Sequence, residues 1–268
     1  MAELTENNNQ LFEDISLSSD DIQTRDISLS DLWLSLREGY ADYGMKSGSI
    51  QLAILFYFVA ALVIVLFSSG QPIRYLAFPM VAGFNLLGPI IATGYLEMSR
   101  RRQQGLPSTW RHCFNFIHTH SFAPVLALSL LMMFLYVAWL YMAELIFFGT
   151  FGDSNPESFA AFFDELFSTQ HGTALIAYGN FVGFLFASSA LALSVVAFPL
   201  VLDKPVTAFT AIKVSVRAVW TNTFVMAVWG VVVVALLTVG AAIFLIGLAV
   251  ALPILGHATW HLYRKIVV

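Results

Sequence analysis

From Phe224 to Tyr263 the chain contains no Asp, Glu, Lys or Arg. One membrane-spanning helix needs about 20 predominantly apolar residues. The stretch is therefore too long for one span and about right for two, with a turn near Gly240. It predicts a helical hairpin in a membrane, with spans at about 223–240 and 242–262.

The composition supports a membrane protein and excludes several other classes. Hydrophobic residues make up 58% of the chain and charged residues only 11%, whereas soluble domains carry about 25% charged residues. No basic stripe remains outside the loops between predicted spans, so nucleic acid is excluded as a partner. The single cysteine, Cys113, rules out an intramolecular disulfide or a CxxC metal site.

Four more apolar stretches predict spans at about 50–68, 75–98, 122–149 and 172–202. We therefore expect an all-α integral membrane protein with six transmembrane helices arranged as three hairpins. A short interfacial amphipathic helix is expected before each odd-numbered span, at 29–43, 108–116 and 206–220. The acidic loop at 150–171 should hold another short helix with a one-sided stripe of Phe residues.

Residues 1–28 are rich in Asn, Ser, Asp and Glu. This composition predicts a disordered acidic cytoplasmic tail, followed by a six-span membrane domain over residues 29–268. The tail has no apolar stretch of the kind that a signal peptide needs. We therefore expect the first span to act as its own insertion signal.

The basic residues predict the orientation. Of the 13 Lys and Arg, only Arg74 falls in a loop predicted to lie outside, which favours cytoplasmic N- and C-termini in a bacterial inner membrane. A five-span alternative would put the C-terminus outside. Topology anchoring is the role expected for five cations, with binding of anionic lipid as the alternative: Arg100, Arg101, Arg102, Arg264 and Lys265.

Two predicted spans end in a similar way. Arg100 follows Pro89 by eleven positions, and Arg264 follows Pro253 by the same number. One interpretation is that the chain contains three copies of an interfacial helix followed by a hairpin. The alternative is that any helix running inward ends in small residues and an Arg.

Three blocks carry a family resemblance: YLAFPMVAGFNLLGPIIATGYLEMSRRRQQG (75–105), SVVAFPLVLDKPVTAFTAIKVSVRAVWTN (194–222) and LPILGHATWHLYRK (252–265). Together they resemble a bacterial family of predicted integral membrane proteins catalogued as domain of unknown function 2189. The resemblance covers roughly residues 30–268. It implies an inner-membrane helical protein with six spans, and it implies no activity.

His257 and His261 are four positions apart and therefore share one helix face. Such a pair can bind a metal ion or ligate haem, and His118 and His120 are candidates to complete the set. The alternative is an interfacial belt, in which these histidines and the neighbouring Trp and Tyr lie at the headgroups. We expect the belt and no resident cofactor.

Glu144 lies inside the third predicted span, where a carboxylate suggests a functional site. Asn85 and Asn180 are predicted at a similar depth, so the three side chains could line a polar crevice for a small solute or a proton. The alternative is that Glu144 reaches the outer interface and each Asn bonds a neighbouring helix. Gly179 and Gly183 form a GxxxG pattern, which favours close helix packing within the chain or in a homodimer.

No HExxH or GxSxG motif occurs in the chain. The leading functional prediction is a non-enzymatic structural, interaction or assembly factor. Its partners would be the lipid bilayer and other membrane proteins or a second copy of the chain. The alternatives are a small-solute transporter or channel, which rests on Glu144, and a haem- or metal-binding respiratory accessory protein, which rests on His257 and His261.

Overall fold

The computed structural model describes residues 17–44, 79–80, 83–152, 159–242 and 247–268. Within these ranges the regular structure is helical, apart from one antiparallel β-bridge between Thr24 and Val267. The α-helices, in chain order, are α1 (Leu29–Gly44), α2 (Gly88–Gln103), α3 (Phe122–Phe151), α4 (Phe159–Ser168), α5 (Gln170–Ser194), α6 (Ala197–Asp203), α7 (Ala208–Thr221), α8 (Thr223–Ala242) and α9 (Leu248–Ile266). Two 3-10 helices occupy Phe84–Leu87 and Trp110–His118.

Three helical segments among the described residues are long and apolar enough to cross a membrane: Phe122–Phe151 (α3), Gln170–Asp203 (α5 and α6 together) and Thr223–Ala242 (α8). At a rise of 1.5 Å per residue, the 20 residues of α8 extend roughly 30 Å, which equals the thickness of the hydrocarbon core. The 30 residues of α3 exceed that thickness. These helices match the third, fourth and fifth predicted spans.

The other predicted spans have different outcomes. The span at 50–68 lies outside the described residues, and the span at 75–98 is described only in part, mainly as α2. The span at 242–262 corresponds to α9, which is not among the three candidate spans because polar and basic residues fill its second half. Six spans and three hairpins therefore remain a prediction.

The three amphipathic stretches form helices close to the predicted positions. They are α1, the 3-10 helix Trp110–His118 and α7. The acidic loop also contains a short helix, α4. At the start of α7, the Thr207 side chain accepts a hydrogen bond of 3.1 Å from the backbone N–H of Thr210, which satisfies one free donor of the first turn.

The chain divides into two units. The first comprises Met1–Phe58, Pro89–Leu130 and Leu191–Val268. Within it α9 packs against α1 and α2 through glycines. A Cβ atom on Gly39 would lie 2.5 Å from the backbone nitrogen of Ala258, and one on Gly256 would lie 2.7 Å from Cβ of Tyr95. These two glycines allow the helix backbones to approach closely.

The second unit comprises Val59–Gly88 and Leu131–Ala190. Trp139 of α3 organises its described part. The indole Nε1 donates a 2.9 Å hydrogen bond to the carbonyl of Pro79, and the ring meets Phe186 edge-on at 5.8 Å. A Cβ atom on Gly183 would lie 3.3 Å from the same indole ring.

Residues 17–28 differ from the predicted disordered tail. Thr24 forms the β-bridge to Val267, and the backbone N–H of Ile27 donates a 2.8 Å hydrogen bond to Oδ1 of Asn222. Ile22 is 1% exposed. Leu17 and two isoleucines in an otherwise polar segment, together with backbone partners from the C-terminal half of the chain, order this part. Residues 1–16 lie outside the described residues.

Candidate functional site

A group of buried polar side chains joins three helices of the first unit. Asp42 comes from α1, Ser99 and Arg102 from α2, and His257 and His261 from α9. We call these five residues the polar cluster. Ser99 is 1% exposed, His257 is fully buried and Asp42 is 6% exposed. Buried polar groups cost free energy unless they are hydrogen-bonded, and each of these five side chains has a hydrogen-bond or ion-pair partner within the cluster.

Asp42 is the centre of the polar cluster. Its Oδ1 lies 2.6 Å from Nη1 of Arg102, and its Oδ2 lies 2.5 Å from Oγ of Ser99 and 3.0 Å from Nε2 of His261. Arg102 also donates to the backbone carbonyl of Asp42 at 3.0 Å. Asp42 lies on the buried face of α1, which also carries Leu32, Ser35 and Gly39. The carboxylate thus ties α1 to both other helices.

Ser99 bridges Asp42 and His257. Its Oγ lies 2.7 Å from Nδ1 of His257, as well as 2.5 Å from Asp42. One hydroxyl proton cannot serve both contacts, and an ionised carboxylate can only accept. The Ser99 proton therefore points to Asp42, an arrangement in which the Ser99 oxygen accepts from Nδ1 of His257 when that nitrogen carries a proton.

The same contacts keep Asp42 ionised. Burial raises the pKa of a carboxyl, but the hydrogen bonds from His261, Ser99 and Arg102 outweigh burial and hold the pKa of Asp42 well below its usual range. A charge-assisted pair of this kind adds little net stability, because desolvation offsets the attraction. Removing one partner is costly, because the other charge is then left buried alone.

The order of the residues differs from that of a hydrolytic triad. In a triad the histidine lies between the serine and the aspartate, and it takes the proton of the serine. Here Ser99 lies between Asp42 and His257, while the distance from Nδ1 of His257 to Oδ2 of Asp42 is 3.9 Å. Ser99 is also buried. The order of bonds in the polar cluster is therefore not that of a hydrolytic triad, and its members connect α1, α2 and α9.

Ion pairs around the polar cluster engage three of the cations predicted as anchors. Arg100 forms a bidentate ion pair with the buried Glu97: its Nε donates to Oε2 at 2.8 Å and its Nη2 donates to Oε1 at 2.9 Å. This pair is the first cause of a raised pKa at Arg100. Nη1 of Arg101 lies 3.9 Å from Glu97, and Nζ of Lys265 lies 2.5 Å from Glu38 on α1.

Asp203, at the end of α6, gathers two side chains of α9. It accepts hydrogen bonds from the hydroxyl of Tyr263 at 2.7 Å and from Nη1 of Arg264 at 3.0 Å. Burial, followed by the nearby Asp203 charge, raises the pKa of Tyr263. All five predicted anchor cations thus contact carboxylates of the chain itself. Helical spacing could reveal the two pairs with Glu97, but the other three join residues far apart in the sequence.

His257 differs from the predicted interfacial belt. His257 is enclosed by protein, as are Trp260 and Tyr263, each 1% exposed. A helix face that meets lipid headgroups and one that packs against protein can carry the same pattern of aromatic and polar residues. The pattern in α9 therefore could not distinguish the two locations. His118 and His120 are exposed. Among the described residues, no three His, Cys, Asp or Glu side chains are arranged to hold a metal ion.

The predicted polar crevice receives no support from Asn180. This side chain is exposed and donates a 2.8 Å hydrogen bond to the carbonyl of Ile176 in its own helix. Glu144 is partly buried in α3, and the side chain of Asn85 lies outside the described residues.

The two glycines of the GxxxG pattern have different surroundings. Gly183 packs against Trp139 in the same unit, whereas a Cβ atom on Gly179 would meet nothing within 4 Å.

Asp42 and Ser99 were missed by sequence reasoning. Asp42 lies on a helix face with Leu32, Ser35 and Gly39, and only one of these four residues is hydrophobic. Helical spacing of apolar residues therefore does not mark this face as buried. Ser99 leaves no signal either, since serine is common at the ends of membrane helices.

The long apolar helices and the comparison with known families agree that this is an integral membrane protein. Residues 77–203, just under half of the chain, match the model of the family described as "Predicted integral membrane protein (DUF2189)". This match confirms the predicted resemblance. Of the three blocks that carried it, the block at 252–265 and most of the block at 194–222 lie beyond the matched residues. Neither curated proteins nor solved structures give a match.

Proposed function

We propose that the protein is a non-enzymatic structural, interaction or assembly factor of the bacterial inner membrane. The observation that carries this proposal is the polar cluster. Its serine and the histidine His257 are buried and bonded to each other, and its aspartate is bonded to that serine and to two further side chains, His261 and Arg102. A polar group used in this way stabilises one arrangement of helices and is not available to a substrate.

The proposed topology has six spans with both termini in the cytoplasm. The β-bridge between Thr24 and Val267 supports it, because it brings a segment before the first predicted span beside one after the last. Two segments in contact lie on the same side of the membrane, which requires an even number of spans between them. Nζ of Lys204 contributes a further contact, donating to the carbonyl of Val268 at 3.2 Å.

The polar cluster then lies at the cytoplasmic ends of the spans. Ser99 and Arg102 are at the end of the second predicted span, and His261 is at the end of the sixth. Asp203, which binds Tyr263 and Arg264, is at the end of the fourth. The cluster and its neighbouring ion pairs would fasten these three ends to one another and to α1.

An optical spectrum and a metal analysis test this proposal against the cofactor alternative. The protein is purified in mild detergent beside the double variant His257→Ala/His261→Ala. We expect neither a Soret band nor a stoichiometric metal in either sample, and a lower thermal midpoint in the variant. A band or a metal that is lost in the variant would overturn the structural role.

Chemical cross-linking in intact membranes tests the interaction part of the proposal. A structural or assembly factor should yield a discrete cross-linked species of fixed stoichiometry, with itself or with another membrane protein. The Trp33→Ala variant removes an indole that is 72% exposed on α1 and should weaken that species. A protein that remains monomeric under all cross-linking conditions would contradict this part.

A fluorescent fusion at Val268 tests the topology. Green fluorescent protein folds in the cytoplasm but not after export through the general secretion pathway, so we expect a fluorescent fusion. A fusion of alkaline phosphatase at the same position, which needs export for activity, should be inactive. The opposite pair of results would favour the five-span alternative.

A further inference from the structure

The exposed face of α7 combines aromatic and basic side chains. Phe209, Lys213, Val216 and Trp220 recur at helical spacing and are exposed, with Trp220 at 83%. The opposite face is packed inside the protein: Ala211, Val214, Ser215 and Ala218 are fully buried. The exposed face is therefore aromatic and basic, and α7 contains no acidic residue.

The chain fixes α7 at a membrane surface. Four residues separate the end of the candidate span Gln170–Asp203 from the start of α7. Only one residue, Asn222, separates the end of α7 from the candidate span Thr223–Ala242. Because α7 connects the end of one span to the start of the next, both of its ends lie on the same side of the bilayer. A helix of 14 residues, roughly 21 Å long, must then lie beside the headgroups.

Two cations lie at or beside the exposed face of α7. Nζ of Lys213 lies 4.5 Å above the ring of Phe209, so a cation and an aromatic ring are presented together. Arg217 is held in place by its Nη2, which donates to the backbone carbonyl of Ser19 at 3.0 Å and also to that of Ile22. Among the described residues, Nε of Arg217 has no hydrogen-bond partner. A shallow groove runs along this face between Lys213, Arg217 and Trp220.

We propose that this groove binds the headgroup of an anionic phospholipid. The exposed Lys213 would contact the phosphate, with the half-buried Arg217 beside it. Phe209 and Trp220 would lie at the boundary with the acyl chains, where aromatic rings are favoured. Lys213 has no carboxylate on its own helix, whereas Arg217 contacts the segment that carries Asp20 and Asp21. Lys213 therefore supplies the charge that would distinguish an acidic lipid from a zwitterionic one. This inference rests on the membrane topology of the proposed function and adds a specific ligand class to it.

Lipid binding measured by native mass spectrometry tests the inference. The full-length protein in mild detergent is titrated with phosphatidylglycerol and with phosphatidylcholine of identical acyl chains. We expect tighter binding of phosphatidylglycerol, and a loss of about fivefold in that affinity in Lys213→Gln, with phosphatidylcholine unchanged. Lys213→Arg should retain the wild-type affinity. Arg37→Gln, which removes an equal charge from the exposed side of α1, should change the affinity less.

Three results would overturn the site. They are equal affinity for the two lipids, an equal loss in Lys213→Gln and Arg37→Gln, and effective competition by inorganic phosphate alone. A dimer that dissociates in Trp220→Ala without any change in lipid binding would instead assign this face to a second copy. None of these results would affect the polar cluster, whose test is the thermal midpoint of the same samples. A failed site and a failed structural role are therefore distinguishable.

Discussion

Oγ of Ser99 lies 2.7 Å from Nδ1 of His257, although 158 positions separate the two residues in the chain. The same oxygen lies 2.5 Å from Asp42, which is a further 57 positions away in the other direction. One small hydroxyl thus connects α1 to α9 from its position on α2. A side chain with two buried partners of this kind constrains the packing of all three helices.

Replacing Asp42 should destabilise the protein strongly. Asp42→Asn removes the charge that Arg102 and His261 contact, and leaves the guanidinium of Arg102 partly buried without its ion-pair partner. We expect a loss of about 3 kcal/mol and a lower midpoint of thermal unfolding in detergent. Asp164→Asn is the matched control, because Asp164 is exposed on α4. A similar midpoint for both variants would contradict the central role of Asp42.

The contribution of Asp42 to the stability of the fold should disappear in acid. Its pKa is lowered in the folded protein from the ordinary value of 3.8, so the ionised carboxylate stabilises the fold above that value. The stabilisation is lost as the pH falls through the folded pKa. The difference in thermal midpoint between wild type and Asp42→Asn should stay constant at neutral pH and shrink below about pH 4. A difference that grows in acid would show that Asp42 is protonated in the fold.

Removing the Ser99 hydroxyl should cost less than removing the Asp42 charge. Ser99→Ala leaves Asp42 and His257 each without one hydrogen bond, for an expected loss of about 1–3 kcal/mol. Ser189→Ala provides the control, because Ser189 is exposed and donates only to Leu185 in its own helix. Thermal unfolding of the two variants in the same detergent makes the comparison. Equal midpoints would mean that Ser99 has no bridging role.

Gly39 should not tolerate a methyl group. A Cβ atom there would lie 2.5 Å from the backbone nitrogen of Ala258, and a backbone atom cannot move aside as the end of a side chain can. We expect Gly39→Ala to cost about 1–3 kcal/mol. Gly44→Ala, in the same helix, has nothing within 4 Å and should be neutral. If both substitutions are neutral, α1 and α9 do not pack as described.

Cys113 should resist alkylation in the folded protein. It is fully buried, and burial raises its pKa to about 12, so almost no thiolate exists at neutral pH. Labelling by a maleimide should be at least about 100-fold slower than in the unfolded chain. The control is Cys113→Ser/Phe114→Cys, which moves the thiol to a neighbouring exposed position. Equally fast labelling of both proteins would show that Cys113 is accessible.

Local patterns in the sequence predicted the helices well. Apolar runs predict α3, α5 and α8, and the helical spacing of apolar residues predicts α1 and α7. Both signals depend only on residues that are close together in the sequence. The same spacing could not tell whether an amphipathic face meets lipid or protein. Trp260 and His257 were therefore expected at headgroups, whereas both are buried in the protein.

The polar cluster could not be predicted from local patterns. Asp42, Ser99 and His257 come from three distant segments, and their contact depends on how the helices pack. The close approaches at Gly39 and Gly256 allow that packing, yet neither glycine stands out in the sequence. The segment at 17–28 was expected to be disordered for a similar reason, since its partners lie at Asn222 and Val267.

A double-mutant cycle on Asp42 and Ser99 tests the structural role of the polar cluster most directly. The thermal stability of the wild type, Asp42→Asn, Ser99→Ala and the double variant is measured in one detergent. If the two side chains act as one unit, the double variant should lose less than the sum of the single losses, with a coupling of about 1–3 kcal/mol. Strictly additive losses would mean that the two residues act independently and would contradict the proposed role.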